Sequence, residues 1–131
     1  MKNNNESNNL EVRIDAIESC YEYMLAYAAQ GKESDSKDGS SSDLRDFLLK
    51  MQKALNGLDL VVKDLFDSTS ASSDDFLLAF GQDIKVTQGL VSLLIEKDGI
   101  SSQLIDNVNA SIHLRALLTD LFIIDEILRS K

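Results

Sequence analysis

The chain has 131 residues, 44% of them hydrophobic and 27% charged, with no proline, no tryptophan and six glycines; this is one domain's worth of ordinary globular composition without the turn residues that many short strands need, so an all-β fold is not expected. Thirteen Lys and Arg against 22 Asp and Glu leave a net charge of -9, which repels a phosphate backbone and argues against a nucleic-acid partner. A single cysteine, Cys20, and a single histidine, His113, exclude a Cys/His zinc site and a disulfide framework within one chain.

The start of the chain, residues 1–7, is Asn-rich and polar, and is expected to be a disordered tail. It lacks the basic and apolar regions of a secretory signal, and no run of about 18 apolar residues follows, so the expectation is a cytoplasmic protein without a membrane partner. Leu10, Ile14, Ile17, Tyr21, Met24 and Ala28 then recur at spacings of 4 and 3, which places them on one face of a first helix over about 8–30. Gly31 is a natural stop, because glycine accepts the left-handed conformation past a last helical turn. The stretch 31–42 that follows is polar and Ser-rich, and is expected to be a mobile loop.

Ser42 and Asp43 are suitable N-caps for a second helix over about 43–66, in which Leu44, Leu48, Met51, Leu55, Leu58, Val62 and Leu65 again alternate by 4 and 3. Gly57 interrupts it, at a propensity cost of about 1 kcal/mol that packing can offset. A third helix over about 74–97 carries Leu77, Phe80, Ile84, Thr87, Val91 and Leu94, and its Gly81 and Gly89 could admit a neighbouring backbone. The fourth, over about 102–129, is apolar around most of its girth, as expected of a helix that is central or that buries a second face on another chain. Four segments of comparable length with short connections predict an antiparallel four-helix bundle forming a single domain over 8–131.

The chemistry available is sparse. A di-iron bundle needs Glu-x-x-His, but Ala110 stands three residues before His113, so no metal and no cofactor are expected. No Gly-rich phosphate loop, nucleophile elbow or calcium loop occurs, and isolated carboxylates on solvent faces are ordinary solvating charges. Cys20 lies on an acidic helix without a cationic neighbour and reads as a small hydrophobe. The string from Ser111 to Arg115 superficially resembles the phosphoacceptor helix of histidine phosphotransfer bundles, although Ala116 and Leu117 depart from the small-residue context of such helices.

The leading expectation is therefore a non-enzymatic helical protein that works through protein contacts, as an adaptor, chaperone or regulator, with a protein partner that includes a second copy of itself. The surplus apolar surface of the fourth helix places the interface at Leu117, Leu121, Phe122, Ile124 and Leu128, with Tyr23 and Tyr27 as a second candidate patch. One alternative is a phosphocarrier using His113. Another is a bundle that binds an apolar small molecule near Gly81, Thr87 and Gly89.

Overall fold

The structure is a computed structural model that describes residues 4–35, 42–66 and 73–129. Six helices occur among the described residues: α1 Asn4–Ala28, α2 Asp43–Leu55, α3 Leu58–Leu65, α4 Asp74–Glu96, α5 Ser102–Asn109 and α6 Ile112–Arg129. The all-α class follows the expectation, but the count does not. Two of the four anticipated helices are each broken in two.

The first break lies at Asn56–Gly57, where Gly57 adopts a left-handed φ of 78° that ends α2 and starts α3. The apolar ladder hides it, because the step from Leu55 to Leu58 is three residues whether or not the helix continues, and both side chains are fully buried. An Asn-Gly pair is a turn signal in its own right. Carbonyls freed at this break are taken by Arg13 of α1, whose Nη1 donates to Ala54 O at 3.1 Å and to Asn56 O at 2.6 Å. A cation at a helix C-terminus also complements the negative end of the helix dipole.

The second break is at Ala110–Ser111. The last turn of α5 tightens, with the amides of Ala110 and Ser111 donating to Asn107 O and Val108 O, and the hydroxyl of Ser111 sits 3.5 Å from the amide of Leu114 at the start of α6. This explains the excess girth of the anticipated fourth helix. Ile105 and Val108 are buried by α5, whereas Leu114, Leu117, Leu121 and Ile124 are buried by α6, so two shorter faces replace one impossible stripe.

α1 packs against α2, α3 and α5, and α4 packs against α2, α3 and α6, so the helices close a ring around one apolar core. Directions follow from paired residues. Tyr23 stacks on Phe47 while Arg13 reaches Ala54, and Arg45 reaches Ile95 while Gln52 meets Ser92, so α2 runs antiparallel to both α1 and α4. α1 begins at Asn4, within the stretch anticipated as a tail, and residues 1–3 lie outside the described residues.

The two ends of the ring differ in chemistry. At the end formed by the C-terminus of α1 and the N-termini of α2 and α5, polar contacts dominate. The Tyr27 hydroxyl donates to Ile100 O at 2.6 Å, and the Ser102 hydroxyl donates to Tyr27 O at 2.6 Å. Arg45 donates to Ile95 O and Lys97 O at the C-terminus of α4. Of the stretch anticipated as a mobile loop, residues 36–41 lie outside the described residues, while Lys32 exchanges backbone and side-chain hydrogen bonds with Ser102. Asp35 accepts from the amide of Ile100 at 2.8 Å. The opposite end gathers aromatic and aliphatic side chains instead.

Candidate interaction surfaces

On α6 the spacing Leu114, Leu117, Leu121, Ile124, Leu128 is a 3–4 ladder, and a helix can turn only one such ladder inward. That ladder is the core side. Leu117, Leu121 and Ile124 are buried within the chain and Leu128 is half-buried, so these four expected interface residues are occupied by intramolecular packing. Phe122 alone of the five is exposed, at 59%, and it falls off the ladder together with Ile123 and Ile127. The periodicity of α6 already separates these two sets, and Ile123 and Ile127 are the outward residues that the earlier expectation missed.

The tyrosine patch also divides. Tyr27 is 1% exposed, because α1 turns Cys20 and Tyr27 into the core where Tyr21 and Ala28 were expected, and the Ile100 carbonyl satisfies the phenol hydroxyl there. Burial is the leading cause that pushes the Tyr27 phenol above its ordinary range. Tyr23 is half-buried and stacks on Phe47 at 4.7 Å between ring centres, with the Tyr27 ring 6.4 Å away. Cys20 is fully buried, and burial pushes its thiol up to about 12, which keeps it protonated and unreactive at neutral pH.

Outward apolar residues of α6 meet the N-terminal half of α4. Phe66, Ser73, Phe76, Leu77, Ile123 and Ile127 line a hollow of about 230 Å³ at the apolar end of the ring, and Phe76 stacks on the core residue Phe80. Leu77 is shared with a second, larger hollow of about 440 Å³ between α3 and α4, whose walls include Leu60 and Leu78. These two leucines are 67% and 75% exposed. Gly81 forms part of that groove, and a Cβ placed on Gly81 or on Gly89 would meet nothing within 4 Å. Neither glycine admits a neighbouring helix of this chain, contrary to expectation, and each leaves α4 weaker than alanine would by about 1 kcal/mol. A third hollow of about 330 Å³, between α1 and α2, carries only cations, Arg13, Lys50 and Lys53.

His113 is partly exposed on α6, with Nδ1 3.7 Å from Asp83 Oδ1 of α4. Asp83 in turn hydrogen-bonds Asp120, one face of α6 presenting both residue 113 and residue 120 to it. Burial first, and then the hydrogen bond and the charge of Asp83, hold the Asp120 carboxyl up at about 7, so Asp120 keeps its proton toward neutral pH. The Asp83 carboxylate beside the imidazole disfavours approach of a phosphoryl dianion. Among the described residues no group of three His, Cys, Asp or Glu side chains could hold a metal ion, and no helix is long and apolar enough to cross a membrane.

Thr87, expected near a ligand site, is instead packed in the core, with its hydroxyl unpartnered and no hollow named above reaching it. Comparison with known protein families, with curated proteins and with solved structures finds no match to this chain.

Proposed function

We propose that this protein acts through contacts with other proteins, including a second copy of itself, as a non-enzymatic adaptor, chaperone or regulator. One observation carries the reading: Ile123 and Ile127, each 44% exposed, line one hollow with Phe76 and Leu77, and Leu77 continues into the groove walled by Leu60 and Leu78, an apolar surface rather than scattered single residues. Scattered exposed hydrophobes need no explanation, whereas a contiguous patch usually marks a contact surface. Phe122 is the one of the five residues expected on α6 that remains exposed, next in the chain to Ile123.

Catalysis has little to stand on, because the one thiol is buried and protonated and the one imidazole lies against the Asp83 carboxylate. Sedimentation velocity over roughly 5 to 500 µM, joined to photo-crosslinking from position 123 in cells, tests the reading. A species heavier than the 14.5 kDa chain, or a discrete crosslinked partner lost on Phe122→Asp, is expected. A 14.5 kDa monomer throughout with no position-specific crosslink overturns it.

A further inference from the structure

We infer that a second copy of this chain docks on the outer face of α4, antiparallel and about a two-fold axis that passes between residues 79 and 80. The inference rests on the self-association proposed above and assigns its surface and register. Asp74, Leu78, Gly81 and Lys85 follow one another at spacings of 4, 3 and 4, so they form a stripe on α4. Asp74, Leu78 and Lys85 are exposed and Gly81 is half-exposed. The core ladder of the same helix, Phe80, Ile84, Thr87, Val91 and Leu94, points the other way.

Charge selects the occupant. A chain of net charge -9 repels its own copies over most of its surface, and two copies can meet only where the local charge is balanced or complementary. Of the three hollows, the α1/α2 groove carries cations alone and repels its own copy, the adjoining apolar one has no charges to set a register, and the α3/α4 groove has two acids, Asp59 and Asp74, and two lysines, Lys63 and Lys85. A two-fold contact places a surface against itself, so a charged patch can form one only if it bears both signs. Neither Asp74 nor Lys85 has an ion-pair partner among the described residues.

The order of residues then sets the register. In an antiparallel pair of identical helices, opposed residues have numbers with a constant sum, and 74 with 85 and 78 with 81 share one such sum. Asp74 of each copy therefore faces Lys85 of the other, and Leu78 of each faces Gly81 of the other. The open space above Gly81, where a Cβ would meet nothing within 4 Å, receives the leucine side chain of the second copy. That gives a purpose outside the chain to a mid-helix glycine that packing within the chain does not require. Leu60 of α3 extends the apolar wall beside it. Asp74 and Lys85 are separated by roughly 16 Å along the axis at 1.5 Å per residue, so the contact spans about three turns and fits a weak dimer in the micromolar range.

Sedimentation equilibrium on the full chain, with circular dichroism to verify folding, tests the assignment. Lys85→Asp and Asp74→Lys are each expected to raise the dimer dissociation constant at least tenfold, and the double exchange Asp74→Lys with Lys85→Asp to return it to within about threefold of wild type. Gly81→Ala is expected to raise the melting temperature of the monomer while weakening the dimer at least threefold, a split that a purely structural role for the glycine would not produce. A dimer that none of these changes moves overturns the α4 register and leaves self-association standing through another surface. A monomer up to 500 µM overturns both.

Discussion

Arg45 Nε donates to Asp35 Oδ2 at 2.7 Å, and the pair binds together segments far apart in the chain. The Asp35 side chain is fully covered and also accepts from the Ser42 hydroxyl and the Ile100 amide, while Arg45 holds the last carbonyls of α4. Burial alone would raise the Asp35 carboxyl, but hydrogen bonds from Arg45, Ser42 and Ile100, with the charge of Arg45, bring it down to about 2. Removing one partner strands the other, so Asp35→Asn and Arg45→Met should each lower unfolding free energy by about 2 kcal/mol in urea titrations at pH 7. The pH sign follows from the lowered value: this contribution is intact above the ordinary carboxylate range near 4, and fades as pH falls toward 2. Asp35→Asn should flatten the acid limb of the stability curve, and an unchanged acid limb would refute the assignment.

Asp120 works in the opposite direction. Its carboxyl is held up near 7 in the folded chain and titrates near 4 when unfolded, so the native state binds the extra proton between those values and stability declines as pH rises through that window. Asp83 of α4 is the charged neighbour that holds this proton on Asp120. Thermal melts between pH 5 and 8 should show the melting temperature falling toward pH 8. Asp120→Asn should reduce that slope and exceed wild type in stability at pH 8, whereas parallel wild-type and variant curves would count against a proton held on Asp120.

Thr87 is 1% exposed and its hydroxyl has no partner, in a ladder whose other members are apolar. A buried hydroxyl without a hydrogen bond destabilises the fold by about 1 kcal/mol or more. Thr87→Val keeps the branched shape and removes that hydroxyl, so it is expected to raise stability by about 1 kcal/mol and the melting temperature by about 4 °C, read by calorimetry. A loss of stability would mean that the hydroxyl finds a partner in solution.

Two glycines of the same chain should respond with opposite signs. Gly89 lies within α4, where a Cβ meets nothing within 4 Å, so Gly89→Ala should add about 0.5–1 kcal/mol through helix propensity. Gly57 sits at a φ of 78° where alanine is strained, so Gly57→Ala should remove about 1 kcal/mol and straighten the α2–α3 junction. Chemical denaturation of both variants checks the pair, and equal signs would contradict the assigned backbone conformations.

The helical class and the inward side of most helices were legible in the chain, because the 3–4 recurrence of residues such as Leu44, Leu48 and Met51 is a local property that the tertiary fold has no reason to overrule. So were the N-cap at Ser42 and the start of α5 near Ser102. Where the long helices break depended on contacts between distant segments. Leu55 and Leu58 stay in step across Gly57, and the carbonyls released there find their donor in Arg13, 41 residues before Ala54. Such contacts likewise decided that Tyr27 is buried, since the carbonyl that satisfies its hydroxyl belongs to Ile100, 73 residues away, and a partner at that separation leaves no trace in the local pattern. The surplus of apolar residues after residue 111 was plain in the chain, but which of them remain outside depended on the single ladder that α6 turned inward against α4.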